Sequence, residues 1–231
     1  MRCVKAIFTK QVLDMFKNPM VMVMFVIFPV VALVMTQLVA NTNDDIPNNM
    51  FVTMMGAIFA GMGLITSAAG YIAEDIETKS LRFLIIAGVK PHQYLLGTGG
   101  FLLLAGTITS IFFALIGDFT FNEAIKFLAV MISSTAASII LGIAIGMFSK
   151  NQQAATALGM PAAMIVGFVP MIATFSEPVE RVASVLYTQQ LNVLVNDFST
   201  DLWQPIIVIT ANIAVFAALF LFAYKKKGLK E

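Results

Sequence analysis

Charged side chains are scarce in this chain and are missing altogether from six long stretches. Only 12% of the 231 residues are Asp, Glu, Lys or Arg, whereas 59% are hydrophobic. A soluble domain has roughly 25% charged residues. Each uncharged stretch is at least about 20 residues long, the length that a helix needs to cross the hydrocarbon core of a bilayer. The composition therefore excludes an ordinary soluble fold.

Residues that carry catalysis or bind metals are also few. The chain has one cysteine, Cys3, and one histidine, His92. It therefore offers no internal disulfide, no cluster of Cys and His ligands and no candidate catalytic triad. A GxxxxGK[ST] motif is absent, so the chain has no P-loop of its own for ATP. We expect no catalytic residue and no cofactor or metal bound by this chain.

The six uncharged stretches lack ionisable side chains other than tyrosine. Carriers driven by proton or sodium gradients usually place carboxylates or bases near the middle of the membrane, so this absence argues against such a carrier. The remaining polar groups are hydroxyls and amides, which suit an apolar or amphipathic substrate better than a bare ion. The candidate substrate path predicted from these groups consists of Gln37, Thr66, Ser67 and Thr156.

These patterns predict an all-α integral membrane protein that forms one domain over residues 1–231. Backbone amides must be hydrogen-bonded internally in lipid, so each uncharged stretch is expected to be a helix. Residues 1–17 are predicted to form an amphipathic helix on the membrane surface, with Ile7, Phe8 and Val12 on its apolar side. The six predicted transmembrane helices are 19–40, 50–72, 94–117, 126–148, 154–175 and 204–224.

The connection 177–202, between the fifth and sixth transmembrane helices, is the longest predicted loop on the outer side. Its middle, 182–196, carries no charge and contains Gln189, Gln190 and Asn192. This stretch is too short and too polar to cross the bilayer. We therefore predict a re-entrant or interfacial helix, which is tolerated at membrane depth only where protein surrounds it.

Basic residues determine the predicted orientation. Twelve of the fourteen lysines and arginines fall on the side that holds both termini and residues 74–82, and only Lys126 and Arg181 fall on the other side. The positive-inside rule then places both termini in the cytoplasm. The net charge of +1 hides this asymmetry and indicates no nucleic-acid partner.

Small residues recur on the second, fourth and fifth transmembrane helices, several of them at a spacing of four. This spacing places them on one helix face, where small side chains allow a neighbouring backbone to approach closely. We expect these residues to pack helices rather than to bind a ligand. They are Gly56, Gly61, Ser138, Gly142, Gly146, Gly159 and Gly167.

The segment 74–82 is the exception to the scarcity of charge, because five charged residues fall within nine positions. Asp75 and Lys79 have the i,i+4 spacing of a helical ion pair. We predict a helix over 74–87 that projects into the cytoplasm. A soluble partner that supplies energy is expected to contact Glu74, Asp75, Glu77, Lys79 and Arg82.

Two sets of residues carry a resemblance to a known family. One is Lys17-Asn18-Pro19 followed by Phe28-Pro29, and the other is Glu74-x-x-Glu77-x-x-Ser80-Leu81-x-x-Leu84 followed by Leu95-Leu96-Gly97. In these motifs, and over essentially its whole length, the chain resembles the membrane subunits of ABC-2 type transporters. This permease family includes bacterial exporters of drugs, antimicrobial peptides and polysaccharides. The chain departs from the family pattern at Lys79, where glycine is usual, and at Ser80, Ala87-Gly88 and Thr98.

The resemblance implies an exporter of a hydrophobic or amphipathic compound such as a drug, antimicrobial peptide, toxin or lipid. The helix over 1–17 would be a connecting helix on the inner leaflet. The helix over 74–87 would be the coupling helix that docks on a separate nucleotide-binding ATPase subunit, and 182–196 would close an outer gate. Two copies would pair as a homodimer along their first and fifth transmembrane helices. ATP and Mg²⁺ would bind the partner subunit, and the complex would lie in a bacterial or archaeal plasma membrane.

Two other functions remain compatible with the residues. An ion-gradient-driven carrier would work without an ATPase, since backbone carbonyls can also bind sodium. A non-transporting membrane protein, such as an immunity protein or a sensor, would act even where a partner ATPase is catalytically dead.

Overall fold

The computed structural model of the chain describes residues 2–17, 19–42, 46–199 and 202–228, and every regular element in these ranges is helical. Met1, Asn18 and Lys230, which belong to predicted features, lie outside the described residues. The main helices are α1 (Arg2–Lys17), α2 (Pro19–Leu38), α3 (Met50–Glu77), α4 (Ser80–Ile86), α5 (Pro91–Ile116), α6 (Phe121–Phe148), α7 (Gln152–Ala173), α8 (Glu177–Ala183), α9 (Gln189–Asn196) and α10 (Trp203–Gly228).

In the described part of the chain, five helices are long and apolar enough to cross a membrane, namely α3, α5, α6, α7 and α10. A sixth span is obtained if α1 and α2, which meet at a bend of 68°, are counted together. The helices extend beyond the predicted apolar cores. α3 continues to Glu77 rather than ending at 72, and α6 begins at Phe121 rather than at 126. Helices continue past the hydrocarbon region because their polar ends can reach the interface.

Local capping explains where several helices begin. Before α6, the Thr120 backbone N–H and hydroxyl both donate to Glu123 Oε2, at 2.9 and 2.7 Å, which is a capping box. Before α7, Asn151 Oδ1 accepts from the Ala154 backbone N–H at 2.9 Å. α5 begins with Pro91, which has no backbone N–H. This costs nothing at a helix start, because the first N–H groups of a helix have no carbonyl partner within the helix.

The buried centre of the bundle lies where α3 packs between α6 and α7. A Cβ built on Gly61 would lie 2.5 Å from the Gly167 Cα, and one built on Gly142 would lie 2.5 Å from the Ile65 carbonyl oxygen. At these positions the helices are in backbone contact, and only glycine fits. The contacts are looser at Gly56 and Gly159, where the nearest side-chain atoms to such a Cβ lie at 3.6 Å. The remaining predicted packing residues are also close to neighbours, with Gly146 against Ile72 and Ser138 bonded to Tyr187.

Two π-helical turns interrupt long helices at points of close contact. The turn Phe59–Gly63 in α3 contains Gly61, which faces α7, and the turn Leu95–Gly99 in α5 contains Gly97. A Cβ on Gly97 would lie 2.7 Å from the Ile7 Cβ of α1. π-Turns insert a residue into a helix and often mark functional regions. Here each one brings a glycine against a neighbouring helix.

Two of the prolines inside helices, Pro29 in α2 and Pro170 in α7, free a carbonyl group that a hydroxyl of a neighbouring element approaches. Pro170 cannot donate to the Val166 carbonyl four residues earlier, and the Thr188 hydroxyl donates to that oxygen instead, at 2.6 Å. Pro29 likewise frees the Phe25 carbonyl, which lies 3.3 Å from the Thr109 hydroxyl; the single hydrogen of that hydroxyl is shared with the Ala105 carbonyl of its own helix, at 3.1 Å. Unpaired carbonyls are costly away from water, so these hydroxyls stabilise the interrupted helices.

The apolar side of α1 packs on protein. Ile7 is buried, and the Phe8 ring contacts the Phe101 ring of α5 with centroids 6.1 Å apart. The outward side carries Lys5, Leu13 and Lys17 instead. An amphipathic pattern does not distinguish an apolar face that meets lipid from one that meets protein, and in α1 this face meets α5.

Candidate functional site

The charged segment 74–82 contains a turn rather than one continuous helix. α3 ends at Glu77, and Lys79 adopts a left-handed backbone conformation with φ of 60° before α4 begins. The predicted single helix over 74–87 is therefore wrong in its continuity. The predicted i,i+4 pair between Asp75 and Lys79 is also wrong, because the helix that would align the two side chains ends between them.

Asp75 lies inside the protein, where it joins three helices. Its side chain accepts hydrogen bonds from Lys10 Nζ and Gln11 Nε2 of α1, the latter at 3.4 Å, and from the Tyr94 hydroxyl of α5 at 2.7 Å. The residue is only 2% exposed. This group of four residues is called the Asp75 network below. The prediction that Asp75 contacts a soluble partner is wrong, because its side chain is buried. A buried carboxylate needs hydrogen-bond donors and opposite charge to compensate it, and the three donors supply both.

Sequence reasoning missed the Asp75 network. Gln11 also donates to the Thr98 hydroxyl at 3.4 Å, and Lys10 lies 3.9 Å from Asp14. The one available signal was Gln11 itself, a polar residue that interrupts the apolar side of α1. No local spacing connects it with Asp75, which is 64 positions away.

Three of the other four charged residues of the segment reach the surface around α4. Glu77, Lys79 and Arg82 are exposed. On α4 itself Leu81 is buried and anchors the helix, whereas Phe83 is 68% exposed and Ile86 is 72% exposed. The α4 surface, defined as Glu77, Lys79, Arg82, Phe83 and Ile86, thus combines apolar and charged side chains. The sequence indicated its charges but not its exposed phenylalanine.

A cleft of about 360 Å³ lies between α2, α3 and α7. It brings together Thr66, Ser67 and Thr156, three of the four residues of the predicted substrate path. Gln37, the fourth, lies near the far end of α2 and does not line it. Glu74 lines this cleft rather than the α4 surface. The full lining of this α3–α7 cleft is Met24, Met62, Thr66, Ser67, Gly70, Tyr71, Glu74, Gln152, Thr156 and Met160.

At the opposite end of the bundle, the segment from Tyr187 through α9 is buried among α3, α6, α7 and α10. The Ser134 hydroxyl donates to the Tyr187 carbonyl at 3.3 Å, and Asn192 Nδ2 donates to the Pro170 carbonyl at 2.8 Å. Residues 182–196, predicted as one helix, are divided between the end of α8 and α9. Side-chain hydrogen bonds thus hold this polar segment within the protein.

The described residues contain no group of three or more His, Cys, Asp or Glu side chains that could hold a metal ion.

A family model described as ABC-2 family transporter protein matches residues 23–225. The chain belongs to the ABC-2 transporter family. The resemblance stated from the sequence motifs is thereby confirmed for the family, and a comparison with curated proteins finds no match. As an ABC-2 protein with several apolar helices, the chain is a multi-pass membrane protein and a permease subunit of an ABC transporter.

Proposed function

We propose that this ABC-2 permease is part of an ATP-driven exporter of hydrophobic or amphipathic compounds, and that a separate ATPase subunit docks on the α4 surface. The observation that carries the proposal is the exposure of Phe83 and Ile86 on a helix of seven residues. Such a helix is too short to cross a membrane. Large apolar side chains next to charges on a short projecting helix are typical of a protein contact.

Three connections link the α4 surface with four other helices of the permease. α3 leads directly into it, and the Asp75 network at the end of α3 binds α1 and the start of α5. The Glu77 carboxylate accepts from the Gln152 backbone N–H at the start of α7, at 3.2 Å. A displacement of α4 by a partner would therefore be transmitted to α1, α3, α5 and α7 together.

The proposed direction, outward export, follows the resemblance to exporters. The α3–α7 cleft extends along α3 to Glu74, next to the end that carries α4. A second cleft, of about 340 Å³, lies at the opposite end against Asn192 and Val195 of α9. We propose that α4 and both termini face the cytoplasm of a bacterial or archaeal cell, in agreement with the distribution of basic residues. ATP and Mg²⁺ would bind the ATPase, and two copies of the permease would pair through α2 and α7, whose exposed side chains are largely apolar.

Co-purification tests the docking. The tagged permease, isolated from native membranes in mild detergent, is expected to retain a P-loop ATPase. Phe83→Ala is expected to weaken this association by at least about tenfold, since truncating a central aromatic contact typically costs 2 kcal/mol or more. Phe121→Ala is the matched control, because Phe121 is 80% exposed at the opposite end.

Two outcomes contradict the proposal. One is retention of the ATPase by the Phe83 variant at the wild-type level. The other is transport that continues without any ATPase and follows a proton or sodium gradient, as an ion-driven carrier requires.

A further inference from the structure

We propose that the α3–α7 cleft binds amphipathic cations, with the positive group at Glu74. The inference rests on the proposed export function, because it assigns a class of compound to the site from which export would start. It follows from the hydrogen-bonding capacity, the charge and the shape of the cleft.

The serine and threonine hydroxyls of the cleft can accept hydrogen bonds from a ligand but have no hydrogen left to donate, whereas the buried Tyr71 hydroxyl has no partner among the described residues. Thr66 donates to the Met62 carbonyl at 2.6 Å, Ser67 to the Gly63 carbonyl at 2.7 Å and Thr156 to the Gln152 carbonyl at 3.0 Å. A hydroxyl has one hydrogen and two lone pairs. What these three side chains offer to the cleft is therefore lone pairs, which favour a ligand rich in N–H donors.

The cleft is also negatively charged, which favours a cationic hydrogen-bond donor. Glu74 is half-buried in the lining, and among the described residues no hydrogen bond or ion pair reaches its carboxylate. Asp14, Asp75 and Glu77 lie near enough to add negative potential, and the opposing Lys10 is bonded to Asp75. A carboxylate binds a cationic donor more strongly than a neutral one, because such hydrogen bonds are charge-assisted.

The shape of the cleft requires a molecule with an apolar portion. Its lining runs along α3 from Met62 to Glu74, a distance of roughly 18 Å at 1.5 Å per residue. Met24 and Met160 lie on the facing helices, and methionine side chains adapt to ligands of irregular outline. A volume of about 360 Å³ is within the range of small-molecule sites. The cleft therefore suits a molecule with an amine at one end and an apolar body at the other.

Gly70 provides a way to fill the cleft without disturbing the fold. A Cβ added to Gly70 meets no atom within 4 Å, although Gly70 lines the cleft. Gly100 of α5 is equally open, but it does not line the cleft. Gly70→Leu and Gly100→Leu are thus a matched pair of substitutions, of which only the first occupies the cleft.

The binding of two fluorescent probes tests the inference. The purified permease is placed in phosphatidylcholine nanodiscs without ATPase or ATP and titrated with dansylcadaverine, an amphipathic primary amine, or with its N-acetylated, uncharged counterpart. We expect the amine to bind at least about tenfold more tightly. Glu74→Gln is expected to weaken amine binding about tenfold and to leave binding of the acetylated probe unchanged, since only the charge-assisted bond is lost. Glu180→Gln, an exposed exchange of the same kind outside the cleft, is expected to change neither.

Gly70→Leu is expected to abolish binding of both probes, whereas Gly100→Leu is expected to retain it. Thermal unfolding of each variant shows whether the fold is preserved. The inference is overturned by equal affinity for the two probes, by failure of both to bind, or by amine binding that survives Glu74→Gln or Gly70→Leu. Because the assay contains no ATPase, these results are independent of export. Loss of ATP-driven transport with intact amine binding would contradict the proposed function alone.

Discussion

Lys79 occupies a backbone conformation that favours glycine. Its φ of 60° lies in the left-handed region, where a Cβ is crowded by the following carbonyl oxygen. The turn is needed at this point because α3 must end at Glu77 and α4 must leave in another direction. The resemblance to ABC-2 permeases had already identified Lys79 as a departure from a usual glycine, and the turn gives that glycine a physical reason.

Lys79→Gly is therefore expected to stabilise the permease by about 1 kcal/mol, because it removes the left-handed strain. The measurement is the free energy of unfolding in detergent. Lys90→Gly serves as the control, since Lys90 has an ordinary extended backbone with φ of −77°. Its substitution should lower stability or leave it unchanged. A destabilisation by Lys79→Gly as large as that by Lys90→Gly would contradict the left-handed turn.

Asp75 has a structural role that its neighbours in the sequence do not indicate. Its i,i+4 spacing to Lys79 indicated a local ion pair, which presumes that the helix continues. The real partners, Lys10, Gln11 and Tyr94, come from two other helices, and no periodicity within the segment could indicate them. For Glu77, Lys79 and Arg82, in contrast, the charge alone correctly indicated that the side chain is exposed, since charged side chains are ordinarily on the surface.

Asp75→Asn is expected to destabilise the permease by about 1–3 kcal/mol, because it removes charge-assisted hydrogen bonds from a buried site. Part of the loss is offset because the Lys10 side chain is 42% exposed and can return to water. Urea unfolding in mild detergent measures the change. Glu180→Gln, an exposed exchange of a carboxylate that makes no side-chain hydrogen bond among the described residues, should cost less than about 0.5 kcal/mol. Equal costs for the two substitutions would contradict the Asp75 network.

At the scale of elements, lipid makes the helices predictable and leaves their contacts undetermined. Uncharged runs mark the spans because a charge inside the bilayer is costly. Spacing also indicated small residues where helices approach, although it could not separate the backbone contact at Gly142 from the looser contact at Gly159. The division of residues 182–196 between α8 and α9 was not predictable, because their shared lack of charge gives no sign of a break.

The hydroxyl of Thr188 replaces the N–H that Pro170 lacks, so their effects on stability should be coupled. Thr188→Val leaves the Val166 carbonyl without its donor and is expected to cost about 0.5–2 kcal/mol. In a Pro170→Ala background the restored backbone N–H can serve Val166, and the same substitution should cost much less. A double-mutant cycle of unfolding free energies measures the difference. Additive effects of the two substitutions would show that the hydroxyl does not compensate for the proline.

For the molecule as a whole, the family and the helical class followed from the sequence, whereas the arrangement that links the proposed sites did not. Segment 74–82 was expected to act as one unit. Glu74 instead lines the α3–α7 cleft, Asp75 belongs to the buried network, and the remaining charges surround α4. The proposed ligand site and the proposed docking surface meet at the end of α3, where Glu77 of the α4 surface accepts from the backbone N–H of Gln152 in the cleft lining. A movement of α4 would therefore directly affect the cleft.

If energy from ATP enters the permease through α4, the ATPase must touch Phe83. The most direct measurement is photo-cross-linking in native membranes from a photoreactive phenylalanine analogue placed at position 83, with position 121 as the control at the other end of the bundle. We expect the analogue at position 83 to form an adduct with a P-loop ATPase, and the analogue at position 121 to form none. Adducts with lipid alone at position 83, while the permease still transports, would contradict energy transfer through α4.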